Sequence, residues 1–259
     1  MEILVLVKRV PDTSEAELVV DGSGRALAAD DLSYGTNEWD DFAVEEAVRL
    51  KEAHGGSVTA ITLGDEDAQE VLRRALAMGA DKGLHLEDDA FADLDPEGVA
   101  RVLHAAAREG GYDLVLCGAV SSDAGAGQIG GRLAALLDVP FVALATKLDV
   151  EGAKATVQHE VEGGLERVVD LDLPAVISVQ TGINEPRYVS IRGIRKVSSV
   201  EIPTRGAADL GIDAAAAHAR TRVTALSAPP AGGTAEILEG DVDAAVATLV
   251  ERLKERGAI

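Results

Sequence analysis

Short apolar runs alternate with segments of helical periodicity along the first two thirds of this chain. The first run, Ile3–Val7, contains no polar residue, which is typical of a strand buried on both faces of a parallel sheet. Similar runs recur at Val58–Leu63, Leu114–Cys117 and Ala175–Val179. Because parallel strands need crossover connections, which are usually helices, this alternation predicts a doubly wound, mostly parallel α/β fold of the Rossmann-like or flavodoxin-like nucleotide-binding type.

Helical spacing marks the segments between these runs. Apolar residues recur every three or four positions from about residue 40 to Gly55, and the same spacing predicts helices over Glu66–Met78 and Asp95–Glu109. In the second half, two strands joined by Gly163-Gly164 are expected between Lys147 and Asp172. These two strands predict a β-hairpin appended to the sheet.

The last quarter of the chain has a different composition. Gly182–Lys196 is irregular and basic, and Val197–Gly240 is rich in Ala, Pro and Gly. A stretch of this length is either disordered or an arm laid on another chain. Helical spacing returns at Val242–Leu253, which predicts an amphipathic helix that docks on a partner. We therefore expect an α/β domain over residues 1–196 and a C-terminal arm and helix over residues 197–259.

Composition excludes several classes of function. The formal net charge of −21 produces a long-range field that repels nucleic acids and anionic lipids. No apolar run is long enough to span a bilayer and none resembles a signal peptide, so we expect a cytoplasmic protein without a transmembrane segment. The single cysteine, Cys117, excludes an intramolecular disulfide and offers no cluster of metal ligands.

The clearest functional signal is a glycine-rich loop between a strand and a helix. Leu114–Cys117 is followed by Gly118–Gly131 and then by helical spacing from Arg132 to Leu137. Such an arrangement places backbone N–H groups and a helix N-terminus around a phosphate. The loop matches neither the dinucleotide fingerprint nor a Walker loop. It therefore predicts either a nucleotide site or a tight turn that needs small residues for close packing.

Two other classes of function stay open at this point. One is a stand-alone adenine-nucleotide-binding protein, which would homodimerise and would need no long tail. The other is a small-molecule enzyme such as a hydrolase, but the histidines show no Ser-His-Asp or metal-ligand spacing. The histidines are His54, His85, His104, His159 and His218. We therefore expect neither catalytic nor metal-binding residues.

Several short segments match one known family in the same order along the chain. They are Val7–Val10, Asn37 with Phe42–Glu52, Leu76–Asp81, the loop residues Gly118, Asp123, Gln128 and Gly130, then Leu173–Val176, Asn184–Tyr188 and Leu249–Glu255. On these residues the chain resembles the beta subunit of electron transfer flavoproteins over essentially its whole length.

The resemblance implies an electron carrier subunit and not an enzyme. Family members form a heterodimer with a larger alpha subunit that holds the redox-active FAD. The beta subunit shares that flavin site and also holds AMP or, in electron-bifurcating members, a second FAD. Electrons enter from dehydrogenases and leave to a membrane quinone oxidoreductase or another acceptor. A bifurcating subunit, with NADH-linked activity in its complex, is the alternative.

The resemblance also assigns residues to the cofactors. The implied nucleotide site comprises Leu6, Asn37, Glu38, Asp40, Leu63, Gly118, Ser121, Ser122, Asp123, Gly125, Ala126, Gly127, Gln128, Ile129 and Gly130. Gln128 and Asp123 suit ribose hydroxyls, although Asp123 also suits a helix cap. Trp39 is either a wall of the alpha-subunit flavin site or an anchor onto the core. Thr13 takes the other flavin position, after a Val-Pro-Asp motif common in bifurcating members.

The loop departs from the family pattern at positions that bear on nucleotide binding. Members usually have Lys or Arg and then Gln after the first glycine, where this chain has Ala119 and Val120. A later Asp and an Asn or Thr are replaced by Gly125 and by Ala126 or Gly127. Each lost cation, hydroxyl or amide would weaken phosphate and ribose contacts by about 1–3 kcal/mol if it were buried.

A basic segment matches the loop with which family members bind their dehydrogenase. By this resemblance the partner-binding residues are Tyr188, Ile191, Arg192, Arg195 and Lys196. Ile191 would enter a groove, and the cations would stay at a polar rim. The alternative is a solvated basic turn with no partner.

Overall fold

Eleven strands and six α-helices are present in the computed structural model, which describes residues 1–13, 18–28, 32–213, 219–228 and 235–259. In chain order they are β1 (Glu2–Leu6), β2 (Arg9–Pro11), β3 (Tyr34–Thr36), α1 (Glu38–His54), β4 (Ser57–Leu63), α2 (Gln69–Met78), β5 (Lys82–Leu86), α3 (Pro96–Ala107), β6 (Leu114–Gly118), α4 (Ile129–Leu137), β7 (Phe141–Glu151), β8 (Lys154–Val161), β9 (Leu165–Asp172), β10 (Ala175–Val179), α5 (Ile191–Val197), β11 (Thr204–Arg205) and α6 (Val242–Glu255).

The main sheet has the strand order β11-β5-β4-β1-β6-β10-β7-β8-β9. Pairs from β11 to β7 are parallel, and β7, β8 and β9 pair antiparallel. From β1 the chain moves to β4 and β5 on one side, and then to β6 on the other. The order therefore reverses between β1 and β6, where ligands bind in doubly wound sheets. The predicted doubly wound α/β fold with a hairpin is confirmed.

The helices cover both faces of the sheet. On one face α1 and α2 pack against alternate strand residues such as Ile3, Val5 and Leu116. On the other face α3 and α4 pack against Leu4 and Cys117. Successive strand side chains point to opposite faces, so a central strand of such a sheet is apolar at every position. This is the physical reason why the run at Ile3 lacks polar residues.

The sequence prediction missed β2, β3 and β11 and placed β7 only in part, because their signals are short or interrupted. β7 begins at Phe141, whereas the prediction placed two strands after Lys147. A register shift between Ala145 and Lys147 breaks the alternation of buried and exposed residues. The antiparallel pair of β2 with β3 and the two-residue β11 are too short to show any periodicity.

The first part of the C-terminal arm lies on the chain's own sheet. β11 pairs with the edge strand β5, and Ile202, Ala207 and Leu210 are buried. Further along, backbone N–H groups of Arg220 and Thr221 donate to the Asp95 carboxylate at 2.8 and 3.0 Å. By contrast, α6 has no buried side chain. The division at residue 196 stays a prediction.

Candidate functional site

A cavity of about 220 Å³ lies at the carboxyl ends of β1, β4 and β6. Its polar lining comes from Lys8, Asn37, Asp40, Ser121 and Gln128, together with the backbone of the glycine-rich loop. Its apolar walls come from the same strand ends, from α3 and the segment before it, and from the start of α4. They include Leu6, Ile61, Leu63, Leu94, Val99, Leu103 and Ile129. The cavity occupies the switch point of the sheet.

Most of the predicted nucleotide-site residues meet at this cavity. Those that line it are Leu6, Asn37, Asp40, Leu63, Gly118, Ser121, Ala126, Gly127, Gln128 and Ile129. The predicted residues that do not line it are Glu38, Ser122, Asp123, Gly125 and Gly130, as well as Thr13 and Trp39 from the predicted flavin wall. The structure therefore brings together strand ends and loop residues that lie far apart in the sequence.

Asp40 joins the ends of two central strands. Its carboxylate accepts the backbone N–H of Lys8 at 2.8 Å and that of Gly118 at 3.1 Å. Burial raises the pKa of Asp40 to about 7, although hydrogen bonds from Asn37, Lys8 and Gly118 oppose the rise. The same burial, with the nearby Asp40 charge, raises the pKa of the Cys117 thiol to about 12. Cys117 is accordingly a buried, unreactive thiol.

Asn37 fixes the glycine-rich loop from the start of α1. Its side-chain amide donates to the carbonyl oxygen of Val120 at 3.0 Å, and its Oδ1 accepts the backbone N–H of Ser122 at 3.2 Å. Asn37 itself is 1% exposed. The Asn37–Asp40 stretch therefore sets the position of the loop by holding both Gly118 and Ser122.

Lys8 is a site residue that the sequence analysis did not assign. Its Nζ lies 2.6 and 2.7 Å from the two carboxylate oxygens of Asp123 and 3.4 Å from Ser121 Oγ. Burial raises the pKa of Asp123, but hydrogen bonds from Lys8 and Ser121 outweigh it and hold that pKa below its usual range. The available signal was the position of Lys8 directly after the first buried strand, where side chains reach the ligand edge of the sheet.

The loop glycines divide between the two roles that the sequence left open. A Cβ on Gly118 would lie 2.6 Å from Trp39 Cβ and would also overlap Asp40 Oδ1. A Cβ on Gly130 would lie 3.0 Å from Cys117 Sγ and 2.9 Å from the Phe141 ring. These two glycines serve close packing. Gly125 and Gly127 have φ values of +60° and +59°, so they serve the backbone conformation of the loop.

The two predicted flavin-wall residues lie outside the cavity. Trp39 is half-buried in the first turn of α1, and its ring N–H donates to Gln180 Oε1 at 3.4 Å. Thr13 is exposed, two residues after β2. Both therefore have side-chain surface that another chain can contact, and their role at a shared flavin stays a prediction.

The predicted partner-binding segment is exposed and contains a helix that the sequence analysis missed. Tyr188 and Ile191 are 89% and 73% exposed, and Arg192, Arg195 and Lys196 are also exposed. The prediction of an irregular segment as far as residue 196 was wrong, because α5 begins at Ile191. Ser190 Oγ caps α5 by accepting the Gly193 N–H at 3.1 Å, and seven residues are too few for a clear helical period.

An ion-pair cluster on α1 holds this exposed segment in place. The Arg187 guanidinium donates to Glu45 at 2.8 Å and to Glu52 at 2.9 Å. Hydrogen bonds to these two carboxylates raise the pKa of Arg187 above its ordinary value. Asn184 Nδ2 donates to the Phe42 carbonyl oxygen at 3.0 Å and to Glu46 at 2.9 Å. These contacts of Asn184 and Arg187 with α1, here called the Arg187 clamp, fix the start of the segment and leave Ile191 in solvent.

Within the described ranges, no group of His, Cys, Asp and Glu side chains is arranged to hold a metal ion. No helix in the described part of the chain combines the length and apolar character needed to cross a membrane. Of the histidines considered above, His218 lies outside the described residues, and His85 is fully buried with Nε2 3.0 Å from the Asp65 carbonyl oxygen.

The chain matches known proteins along its whole length. The family model described as "Electron transfer flavoprotein domain" matches residues 26–210. The chain is 35% identical over 261 residues to the electron transfer flavoprotein subunit beta of Bacillus subtilis, with 100% of both chains covered. It is 37% identical over 262 residues to the human protein of the same name, covering 100% of this chain and 99% of that one.

Proposed function

Because this chain belongs to the electron transfer flavoprotein beta-subunit family, we propose that it forms a heterodimer with a larger alpha subunit and carries electrons through an FAD that both subunits contact. The matches confirm the resemblance predicted from the short sequence segments. In this proposal the complex is cytoplasmic. It accepts electrons from dehydrogenases and passes them to a quinone oxidoreductase or another acceptor.

The observation that carries the nucleotide part of the proposal is the cavity between the ends of β1, β4 and β6. Its apolar walls suit a planar base such as adenine, and Asn37 and Gln128 offer amide groups to polar edges or ribose hydroxyls. The loop backbone and the N-terminus of α4 suit a phosphate. These residues therefore fit an adenine nucleotide, and we propose AMP as the ligand, with a second FAD as the alternative.

The bifurcating alternative has one specific feature in its favour. The Val-Pro-Asp motif at Val10–Asp12, which precedes Thr13, is the form common in bifurcating members. In that case the cavity would hold the adenine and phosphate portion of a second FAD. The alternative predicts a different flavin content, which a direct count distinguishes.

Two surfaces supply the contacts with other proteins in this proposal. The arm and α6 dock on the alpha subunit, which is supported by the exposed apolar residues Val242, Val246 and Leu249 on one side of α6. The exposed segment at Ile191 binds the dehydrogenase, supported by an apolar side chain among cations in an otherwise acidic chain. The FAD supplies the electron-accepting ring when it is bound. The residues of α6 and of the segment at Ile191 position the partner proteins around it.

The proposal is tested by a nucleotide count on the isolated complex. The chain is coexpressed with its candidate alpha subunit, the complex is purified and denatured, and the released nucleotides are quantified per heterodimer. One FAD and one AMP are expected. Two FAD would favour the bifurcating alternative, and one FAD alone would contradict the nucleotide site. A chain that forms no complex and retains no flavin would overturn the proposal as a whole.

A further inference from the structure

The cavity has one cationic side chain that could pair with an anionic ligand, that of Lys8, among the described residues that line it. Among the described residues that line it, Lys8 is the only cation and Asp40 the only carboxylate. The Asp40 carboxylate accepts two backbone N–H groups, from Lys8 and Gly118, so it is engaged with the strand ends. The Lys8 ammonium group extends instead towards the glycine-rich loop.

The partner of that ammonium group is the partly exposed carboxylate of Asp123. Lys8 Nζ lies 2.6 Å from Asp123, and the two side chains are 43% and 27% exposed. An ion pair with this much access to water is weak. Asp123 lies in the glycine-rich loop, two residues before Gly125, which is exposed and has a positive φ. The Asp123 side chain does not line the cavity. Release of Asp123 into solvent would leave the loop backbone held by Asn37.

We propose that Lys8 is the phosphate-binding cation of this site and that Asp123 is the counter-ion that a phosphate displaces. The inference rests on the proposed function, since it concerns the phosphate of the same adenine nucleotide. From its position just after β1, Lys8 would supply the positive charge that the loop lacks at Ala119. No covalent bond changes: one ion pair exchanges for another. Asp123 then acts as a competitor of the ligand and not as a ribose contact.

Two substitutions with opposite expected effects test the exchange. The full-length chain, freed of copurified nucleotide, is titrated calorimetrically with AMP and with adenosine, which lacks the phosphate. Lys8→Met keeps the side-chain stem and is expected to weaken AMP binding about tenfold or more, because a charge-assisted contact is lost, with adenosine binding unchanged. Asp123→Asn is expected to tighten AMP binding about threefold to tenfold, since the competing charge is removed.

A second ion pair provides matched controls. Lys147 and Asp149 form a 2.7 Å ion pair on β7, and neither residue lines the cavity. Lys147→Met and Asp149→Asn make the same changes in net charge as the two test substitutions. Both controls are expected to bind AMP and adenosine as the unsubstituted chain does.

Three results would overturn the inference while leaving the nucleotide site intact: unchanged AMP binding by Lys8→Met, equal weakening of AMP and adenosine, or weaker AMP binding by Asp123→Asn. Thermal unfolding establishes that each variant is folded. If Lys8→Met does not fold, the direction of the change in AMP affinity caused by Asp123→Asn decides by itself whether the exchange occurs. An unsubstituted chain that binds neither AMP nor FAD would instead contradict the nucleotide part of the proposed function.

Discussion

At the scale of single residues, the most consequential group is a buried carboxyl. Asp40 holds the ends of β1 and β6 together through two backbone N–H groups, and it does so at 6% exposure. The same carboxylate touches the space that a Cβ on Gly118 would need. The Asp40 carboxyl therefore fixes this wall of the cavity, and protonation of Asp40 makes the stability of the fold depend on pH.

We expect Asp40 to make the protein less stable as pH rises. The folded-state pKa of about 7 lies above the ordinary value of 3.8, so the folded chain binds the proton more tightly than the unfolded chain. The resulting stability is fully present below pH 3.8 and is lost as pH rises through about 7. Between pH 5 and pH 8 the loss amounts to about 3 kcal/mol at most, because part of the stability is already lost by pH 5. Urea unfolding at pH 5 and pH 8 measures it.

Asp40→Asn supplies the comparison for this pH dependence. The variant loses one backbone hydrogen bond at every pH, because the amide accepts through only one of its two atoms. Its stability is expected to fall less than that of the unsubstituted chain between pH 5 and pH 8. Asp149→Asn removes an exposed carboxylate and should keep the full decrease. Parallel pH profiles for Asp40→Asn and the unsubstituted chain would contradict the assignment.

At the scale of elements, α3 is capped by a residue that also holds the arm. The Asp95 carboxylate accepts the Gly98 N–H at 3.0 Å inside α3 and the N–H groups of Arg220 and Thr221 from the arm. These hydrogen bonds, that of Gly98 first, lower the pKa of Asp95 to about 2. The stability from Asp95 is therefore present above pH 3.8 and is lost as pH falls towards 2.

Asp95→Ala is expected to lower the free energy of unfolding by about 1 kcal/mol through loss of the helix cap. It should also increase amide hydrogen exchange at Arg220 and Thr221, whose N–H groups lose their acceptor. Asp241→Ala removes the equivalent cap from α6, where Asp241 accepts the Ala244 N–H. That control should leave the unfolding midpoint unchanged, since α6 buries no side chain. Equal effects of the two variants would refute the special role of Asp95.

The segment proposed to bind the dehydrogenase depends on a second element-scale contact, the ion pairs of Arg187 with Glu45 and Glu52 on α1. Arg187→Ala leaves the buried Glu45 carboxylate without its guanidinium partner, so we expect a loss of about 2 kcal/mol in unfolding free energy. Electron transfer from a dehydrogenase should slow as well, because the base of the segment is released. Arg252→Ala breaks exposed pairs on α6 and serves as the stability control. An unchanged midpoint for Arg187→Ala would show that the clamp contributes nothing.

At the scale of the whole molecule, the described residues divide into a packed α/β unit and an exposed helix. The two core clusters lie on the two faces of the sheet, and the buried arm residues Ile202 and Leu210 join them. α6 joins neither cluster. Among the described residues, the buried apolar side chains therefore end at Leu210, and α6 carries the exposed apolar residues Val242, Val246 and Leu249.

Removal of residues 236–259 tests this division. Because no α6 side chain is buried, the truncated chain should unfold with the same cooperativity, and its unfolding free energy should change by about 0.5 kcal/mol or less. Its affinity for the alpha subunit should fall about tenfold or more, since exposed apolar area is lost. Leu249→Asp in the full chain should weaken the affinity for the alpha subunit and leave the free energy of unfolding unchanged. A large loss of stability on truncation would show that α6 belongs to the folded unit.

Some elements could be predicted from the sequence and others could not, and burial and local irregularity account for the difference. β1, β4, β6 and β10 were predicted because both of their faces are buried, which makes the local run apolar. β7 was predicted only in part because its bulge hides the alternation. Lys8 was missed as a site residue because its contact with Asp123 joins positions 115 residues apart. Local patterns do not encode such a contact.

The sequence by itself determined the class of this fold, its central buried strands with the helices between them, and the glycine-rich loop, because burial and backbone freedom act on neighbouring residues. Only the tertiary structure decided that Asp40 ties β1 to β6, that Asn37 fixes the loop and that Lys8 meets Asp123 beside the cavity. The physical reason is that hydrogen bonds and ion pairs need positions within a few ångströms, and the packing of the sheet sets those positions.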